Sequence, residues 1–568
     1  MHGQESLKIA SHPPREDNFT SLNARLSEII EKNASRPVVI HMKKMRNDRG
    51  VYDAMTYGEA ERESNRIAHG LEKIGLKKGM HTVIMVTPGK DFFCLLAGIF
   101  KLGAIPVFVD PGMGLRNLKT CIEAAEPQAF IGVPRAHVAR LLLRWARSTN
   151  RINVTVGKNY FRSGYTLEHV KRLGANTPYL TETPTPDATQ MIAFTSGNTG
   201  IPKGVIFTQR IFDAILTSLE RLIAPRDGDI DLSTFPPFAL MGPAMGVPAT
   251  IPDMDATRPG KADPRKLVTA IVEQQCSTMF VSPALIETIG RYCHEHQIKL
   301  PTLRCVFCAG APARLDSLER FVKALNPGVE VFTPYGATEA LPVSVIGSTE
   351  LLEETREQSR NGGGICVGRP IDGVDVAVIP ITEEPIAEWS ETLRLPPGKI
   401  GEITAKGPVV TTSYYKRDQQ NRLAKIKETD GGGIWHRMGD VGYFDKQDRL
   451  WMCGRKEHRV ETTDETFFSL PCEAIFNSFP DVFRSALVSV EKDGKVEPVI
   501  IIELEPMHQY TGSDLKSLTI VLLKIAGRYD HTRSIRTILY HPGFPMDERH
   551  NAKIAREKLA MWAQKKLS

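Results

Sequence analysis

Hydrophobic and polar positions along this chain switch between two rhythms. Tyr57–Ile74 carries apolar residues at helical spacing, His81–Val86 is a short β-rich run, Asp91–Leu102 is helical again, and Ile105–Val109 returns to strand. Helices alternating with short apolar strands predict parallel α/β layers. A second series of apolar runs follows: Gln190–Thr195, Thr278–Val281, Arg304–Cys308 and Glu330–Thr333. Each ends near a small-residue or polar turn, and in such sheets ligands gather beyond the carboxyl ends of the strands. From Gly401 the rhythm changes to short alternating strands, with a loop at Gly431–Gly433, which predicts a β-rich subdomain. After Arg455 the pattern is mixed, with helices over Leu470–Phe479 and Asp514–Ala526 and strands over Ser485–Val490 and Pro498–Leu504. The expected fold is α/β: a large N-terminal domain, residues 1–454, of layered α/β sheets with the β-rich subdomain, and a small C-terminal α+β domain, residues 455–568.

Composition narrows the function classes. With 41% hydrophobic and 24% charged residues over 568 positions, the chain resembles an ordinary globular protein rather than a disordered or fibrous one. The net charge of +6 comes from interspersed basic and acidic residues. A nucleic-acid binder would concentrate its basic residues in a patch or tract, so no nucleic-acid partner is expected. Nine scattered cysteines form no disulfide framework and suit a reducing compartment. Cys305 and Cys308 have metal-ligand spacing, but on a buried strand residues three apart point to opposite faces, and no second pair accompanies them. The polar run from Ser11 to Asp17 interrupts any apolar core a secretory leader would need, so a cytoplasmic location is expected. Phe92–Val109 contains Lys101, Gly103 and Pro106 and reads as a helix followed by a strand rather than a bilayer span; peripheral membrane contact stays open.

The densest local signal directly follows the apolar run Met191–Phe194: Thr195-Ser196-Gly197-Asn198-Thr199-Gly200-Ile201-Pro202-Lys203-Gly204. Glycines let the backbone approach phosphate oxygens, hydroxyls add donors, and Lys203 supplies a cation. It is not the common P-loop, which needs Gly-Lys-Ser/Thr opening a helix. A plain surface loop would show the same residue types. The segment resembles the signature loop of the adenylate-forming superfamily, which includes acyl-CoA synthetases, firefly-type luciferases and peptide-synthetase adenylation domains. Further segments similar to that family's motifs follow in order: Ala309-Gly310-Ala311-Pro312, Tyr335-Gly336-Ala337-Thr338-Glu339, Gly401-Glu402-Ile403, Gly439-Asp440, Gly454-Arg455 and Asn551-Ala552-Lys553-Ile554. The resemblance runs from about residue 20 to 560.

It implies ATP and Mg²⁺ as cofactors and activation of a carboxylic acid as an acyl-AMP. In-line attack of a carboxylate on a phosphate joins two anions, so such a site must neutralise charge and hold geometry. By the resemblance, Thr195–Gly200 and Lys203 hold the phosphates, Gly310, Ala311 and Pro312 lie along adenine, Tyr335 and Gly336 help bind the nucleotide, and Thr338 donates to the α-phosphate. Glu339 helps hold Mg²⁺, Asp440 accepts the ribose hydroxyls, Arg455 donates beside them, and Lys553 reaches the substrate carboxylate and the α-phosphate. Glu457 falls at the family's hinge, which implies a mobile small domain.

Two departures bear on the acyl acceptor. Arg459–Thr466 lacks the glycine of the turn that lines the thiol tunnel in coenzyme A ligases, and Ala239 stands where many acyl-CoA synthetases carry a gating histidine. Thr234–Leu240, Ile251–Pro259, His436–Asp445 and Arg549–Ile554 are similar to the β-lactone synthetase branch of bacterial long-chain olefin biosynthesis. That resemblance implies a 2-alkyl-3-hydroxy fatty acid whose own hydroxyl displaces AMP, and association with other enzymes of the pathway. A long-chain acyl-CoA or acyl-AMP ligase is the alternative within the superfamily; a catalytically dead nucleotide- or lipid-binding scaffold is the alternative outside it.

Overall fold

The computed structural model describes residues 19–158, 160, 164–195, 202–235, 240–429, 431–505, 510–546 and 554–568. Two large sheets and a small one carry the fold. The first has seven strands in the order 165–166, 152–155, 129–132, 81–85, 105–109, 189–195 and 203–208. All neighbours are parallel except the last pair, which runs antiparallel with Thr195 opposite Lys203.

Sequence explains why the helices settle between the layers. Tyr57–Lys73 begins on a capping box of Thr56 and Glu59 and buries Tyr57, Ser64, Ile67, Ala68 and Leu71. Lys90–Leu102 is apolar on nearly every side, with Phe92, Phe93, Leu95, Leu96, Ile99 and Phe100 all buried. It ends on Gly103, whose φ of 72° lets the chain turn back into the strand Ile105–Val109. The apolar stretch is therefore a core helix and strand, and no described helix is long and apolar enough to cross a membrane.

In the second sheet the strands 37–46, 249–251, 231–233, 278–281, 305–308 and 330–337 form a parallel block with an antiparallel edge strand at 49–56. Cys305 and Cys308 are both buried in this block. The predicted β-rich region is not detached from it. Ala340–Ile346 pairs back antiparallel on Glu330–Ala337 and leads through Ile365–Pro370, Leu450–Arg455 and Ile434–Phe444 to Gly401–Lys406 and Asp375–Ile379. The strand expected over Glu330–Thr333 runs on to Ala337 because Gly336 allows the close return: a Cβ there would lie 2.5 Å from the Ala340 carbonyl oxygen. Within this region Arg437 and Glu402 form a buried ion pair at 2.6 Å, fixing Gly401–Lys406 against the strand that carries Asp440.

Beyond Val460 the apolar residues form cores of their own. A central strand, Lys495–Leu504, pairs antiparallel with Val482–Lys492 and parallel with Thr537–Tyr540. Helices Ser469–Asn477 and Gly512–Ala526 bury one face of this sheet, and Arg556–Leu567 buries the other. The architecture is α/β with layered sheets and a small C-terminal α+β unit, as the alternating rhythm implied.

Candidate active site

Strand ends and tight turns bring the motif residues together. The antiparallel pairing of 189–195 with 203–208 holds Thr195 and Lys203 at the two feet of the glycine-rich loop. Ser196, Gly197, Asn198, Thr199 and Gly200 lie outside the described residues. Gly310, Ala311 and Pro312 follow the carboxyl end of Cys305–Cys308, with Gly310 at a φ of 100°, a conformation that favours glycine. Thr338 and Glu339 form the turn between Glu330–Ala337 and Ala340–Ile346.

Asp440 stands at the centre of one cluster. It sits on Ile434–Phe444 in register with Arg455 on Leu450–Arg455 and is 4% exposed. Its Oδ2 accepts a 2.7 Å hydrogen bond from the Tyr335 hydroxyl, and its Oδ1 lies 3.1 Å from the Arg455 guanidinium, which also donates to the Met438 carbonyl. Burial, reinforced by the Asp440 charge, holds the Tyr335 hydroxyl protonated well above its ordinary range. Asp440 Oδ1 is buried and accepts no hydrogen bond of good geometry. A buried carboxylate oxygen with unused acceptor capacity suits the hydroxyls of a ribose.

Glu339 centres a second cluster. The Tyr414 hydroxyl donates to its carboxylate at 2.8 Å, while the backbone N–H and the hydroxyl of Thr411 donate to its carbonyl at 2.8 and 3.0 Å. The Lys203 ammonium lies 5.3 Å from the centre of the Tyr414 ring and that of Lys425 5.6 Å from it. Burial pushes Lys425 down to about 7, an effect opposed by the Glu339 charge and assisted by that of Lys203. His436, buried behind them with Nδ1 on the Ala424 carbonyl, is held neutral chiefly by burial.

The motifs give no role to Thr411, Tyr414, Lys425 or His436. His436 stands at the head of the similar string His436–Asp445, and Lys425 left a trace as a cation between Ala424 and Ile426. Lys553 lies outside the described residues; the helix that follows it is anchored by Arg556, which pairs with buried Glu473 at 2.7 Å. Glu457 sits in the short 3₁₀ turn Lys456–His458, directly after Arg455. The turn at 462–465 closes without glycine because the Thr462 hydroxyl accepts from the Glu465 N–H and donates to its carbonyl. Ala239 lies outside the described residues. An apolar cavity lined by Leu219, Ile223, Met241, Met245, Phe280 and Phe307 opens beside the strand that leads to Gly310.

The chain belongs to the AMP-binding enzyme family, the adenylate-forming AMP-dependent ligases, whose family model matches residues 26–415. It is 44% identical over 522 residues to the olefin beta-lactone synthetase of Xanthomonas campestris pv. campestris, covering 91% of this chain and 92% of that one. It is likewise 44% identical over 526 residues to the olefin beta-lactone synthetase of Stenotrophomonas maltophilia, covering 92% and 93%. In fold it is similar to the amide bond synthetase McbA from Marinactinospora thermotolerans, with a TM-score of 0.77 at 17% identity over 96% of this chain and 100% of that one.

Proposed function

We propose that this enzyme uses ATP and Mg²⁺ to activate a 2-alkyl-3-hydroxy long-chain fatty acid and closes it to a β-lactone. A carboxylate oxygen attacks the α-phosphorus, pyrophosphate leaves, and the acid becomes a mixed anhydride with AMP. The 3-hydroxyl oxygen then bonds to the acyl carbon, the acyl bond to AMP breaks, and the hydroxyl proton passes to solvent. An intramolecular nucleophile has a high effective concentration, which offsets ring strain against the reactivity of the anhydride.

The 44% identity to two olefin beta-lactone synthetases along nearly the whole chain carries this reading. The site supports it in detail. Lys203 and the loop at 195–200 would hold the phosphates, with Thr338 on the α-phosphate. Gly310–Pro312, Tyr335 and Gly336 would flank adenine, and Asp440 with Arg455 would hold the ribose. Glu339 would hold Mg²⁺, an ion that takes one or two carboxylates together with phosphate oxygens. We also propose two domains, 1–454 and 455–568, with the second carrying Lys553 to the site and turning about Glu457, and a place in the cytoplasm.

The acceptor is tested by mass spectrometry of a 2-alkyl-3-hydroxy acid incubated with ATP and Mg²⁺ but no coenzyme A. The expected product has lost one water and forms one-to-one with AMP. Turnover that appears only when a thiol is added would instead establish an acyl-CoA ligase.

A further inference from the structure

Lys425 belongs to none of the family-like motifs, is only 7% exposed, and sits where three parts of the site meet. Its strand, Lys425–Lys427, pairs with Ile434–Phe444, the strand that carries Asp440, with Lys425 opposite His436. Its ammonium donates to the Thr411 carbonyl and, at 3.3 Å, to the Thr411 hydroxyl. The segment that begins there is stitched to both sides of the phosphate region. Val410 bridges to Ala340, next to Glu339, and Tyr414 bridges to Val205, two residues after Lys203. Thr411 clamps the Glu339 carbonyl by two hydrogen bonds, and Tyr414 holds its carboxylate by a third.

We propose that Lys425 is a positioning residue for the metal-holding carboxylate: from inside the core its ammonium fixes the Thr411–Tyr414 segment, which in turn fixes both the backbone and the side chain of Glu339. A buried lysine is costly, since its charge must be taken out of water and an apolar residue would fill the same space without that cost. Here the cost is matched to a geometric task. Two lysines flank one tyrosine ring whose hydroxyl holds the carboxylate, so Glu339 is aimed before a cation arrives. Groups that orient a metal ligand from behind commonly carry about ten- to hundredfold of the metal affinity or activity.

This inference rests on Glu339 holding Mg²⁺, and the experiment separates the two. Acid-dependent pyrophosphate release is measured at fixed ATP while Mg²⁺ is varied, for the native enzyme, Glu339→Gln, Lys425→Met and Thr411→Val. Lys425→Met keeps the length of the side chain and removes its charge and donors. It is expected to raise the Mg²⁺ concentration for half-maximal rate about tenfold, with half-saturation by the acid changed less than twofold. Thr411→Val, which keeps Lys425 but removes the hydroxyl between it and Glu339, is expected to shift the same quantity in the same direction, and it decides the question alone if Lys425→Met does not fold. An unchanged Mg²⁺ requirement in the folded variants, or an equal loss for Mg²⁺, ATP and acid, would overturn the assignment of Lys425. If Glu339→Gln itself keeps the native Mg²⁺ requirement, the reading of Glu339 fails first.

Discussion

Asp440→Ala is expected to raise the ATP concentration for half-maximal pyrophosphate release by more than about a hundredfold, because two hydrogen bonds to a charged group, each worth about 1.5–3 kcal/mol, would be lost with the ribose. The same change strips two protein partners. Tyr335 loses the acceptor it holds at 2.7 Å, and Arg455 loses the carboxylate 3.1 Å away. Leaving the buried Tyr335 hydroxyl without its acceptor costs about 1–3 kcal/mol, so the unfolding temperature should fall as well. Asp440→Asn keeps the shape and a carbonyl acceptor for Tyr335, and so should lose less stability while still binding ATP weakly. The check is ATP half-saturation alongside thermal unfolding of both variants. ATP half-saturation within threefold of native in both would remove Asp440 from the nucleotide site.

Lys553→Ala is expected to slow acid-dependent pyrophosphate release by about 10²–10³-fold, the usual cost of deleting one donor aimed at developing negative charge. Half-saturation by ATP should stay near native, because the proposed contacts of Lys553 are to the reacting carboxylate and α-phosphate rather than to adenine or ribose. Steady-state kinetics with varied ATP and acid separates the two quantities. A native rate in Lys553→Ala would leave the C-terminal unit without a part in adenylation.

Much of the fold was legible because period and length both spoke clearly. The run from Tyr57 to Val109 alternates helix and strand with little ambiguity, and its buried positions follow the apolar ones. Boundaries were harder where side-chain period is not the deciding force. Glu330–Ala337 runs four residues past its expected end at Thr333, since a glycine at the break in register between Tyr335 and Ala337, rather than an apolar residue, permits the last pairing. The strands after Gly401 read as a β-rich subdomain of the large domain, but short antiparallel strands look alike whether or not they join a larger sheet. Only the pairing of Ile365–Pro370 with both Ala340–Ile346 and Leu450–Arg455 reveals that they do.

The candidate site divides along the same line. Residues that would touch the nucleotide sit in short motifs at strand ends, where the turn demands particular residue types, and these were readable. Tyr414 and Thr411 were not, because they act through hydrogen bonds to a residue more than seventy positions away. Their segment, Val410-Thr411-Thr412-Ser413-Tyr414, carries no feature that distinguishes it from an ordinary half-buried strand.

The central claim is that a carboxylate oxygen attacks the α-phosphorus of ATP within this one site, and isotope transfer tests it most directly. The hydroxy acid is labelled with ¹⁸O at both carboxyl oxygens, and the products of a reaction with ATP and Mg²⁺ are weighed. Attack as proposed places one label in the phosphate of AMP and leaves the other in the carbonyl of the lactone. Label found in pyrophosphate or inorganic phosphate, or AMP released without any, would contradict the account.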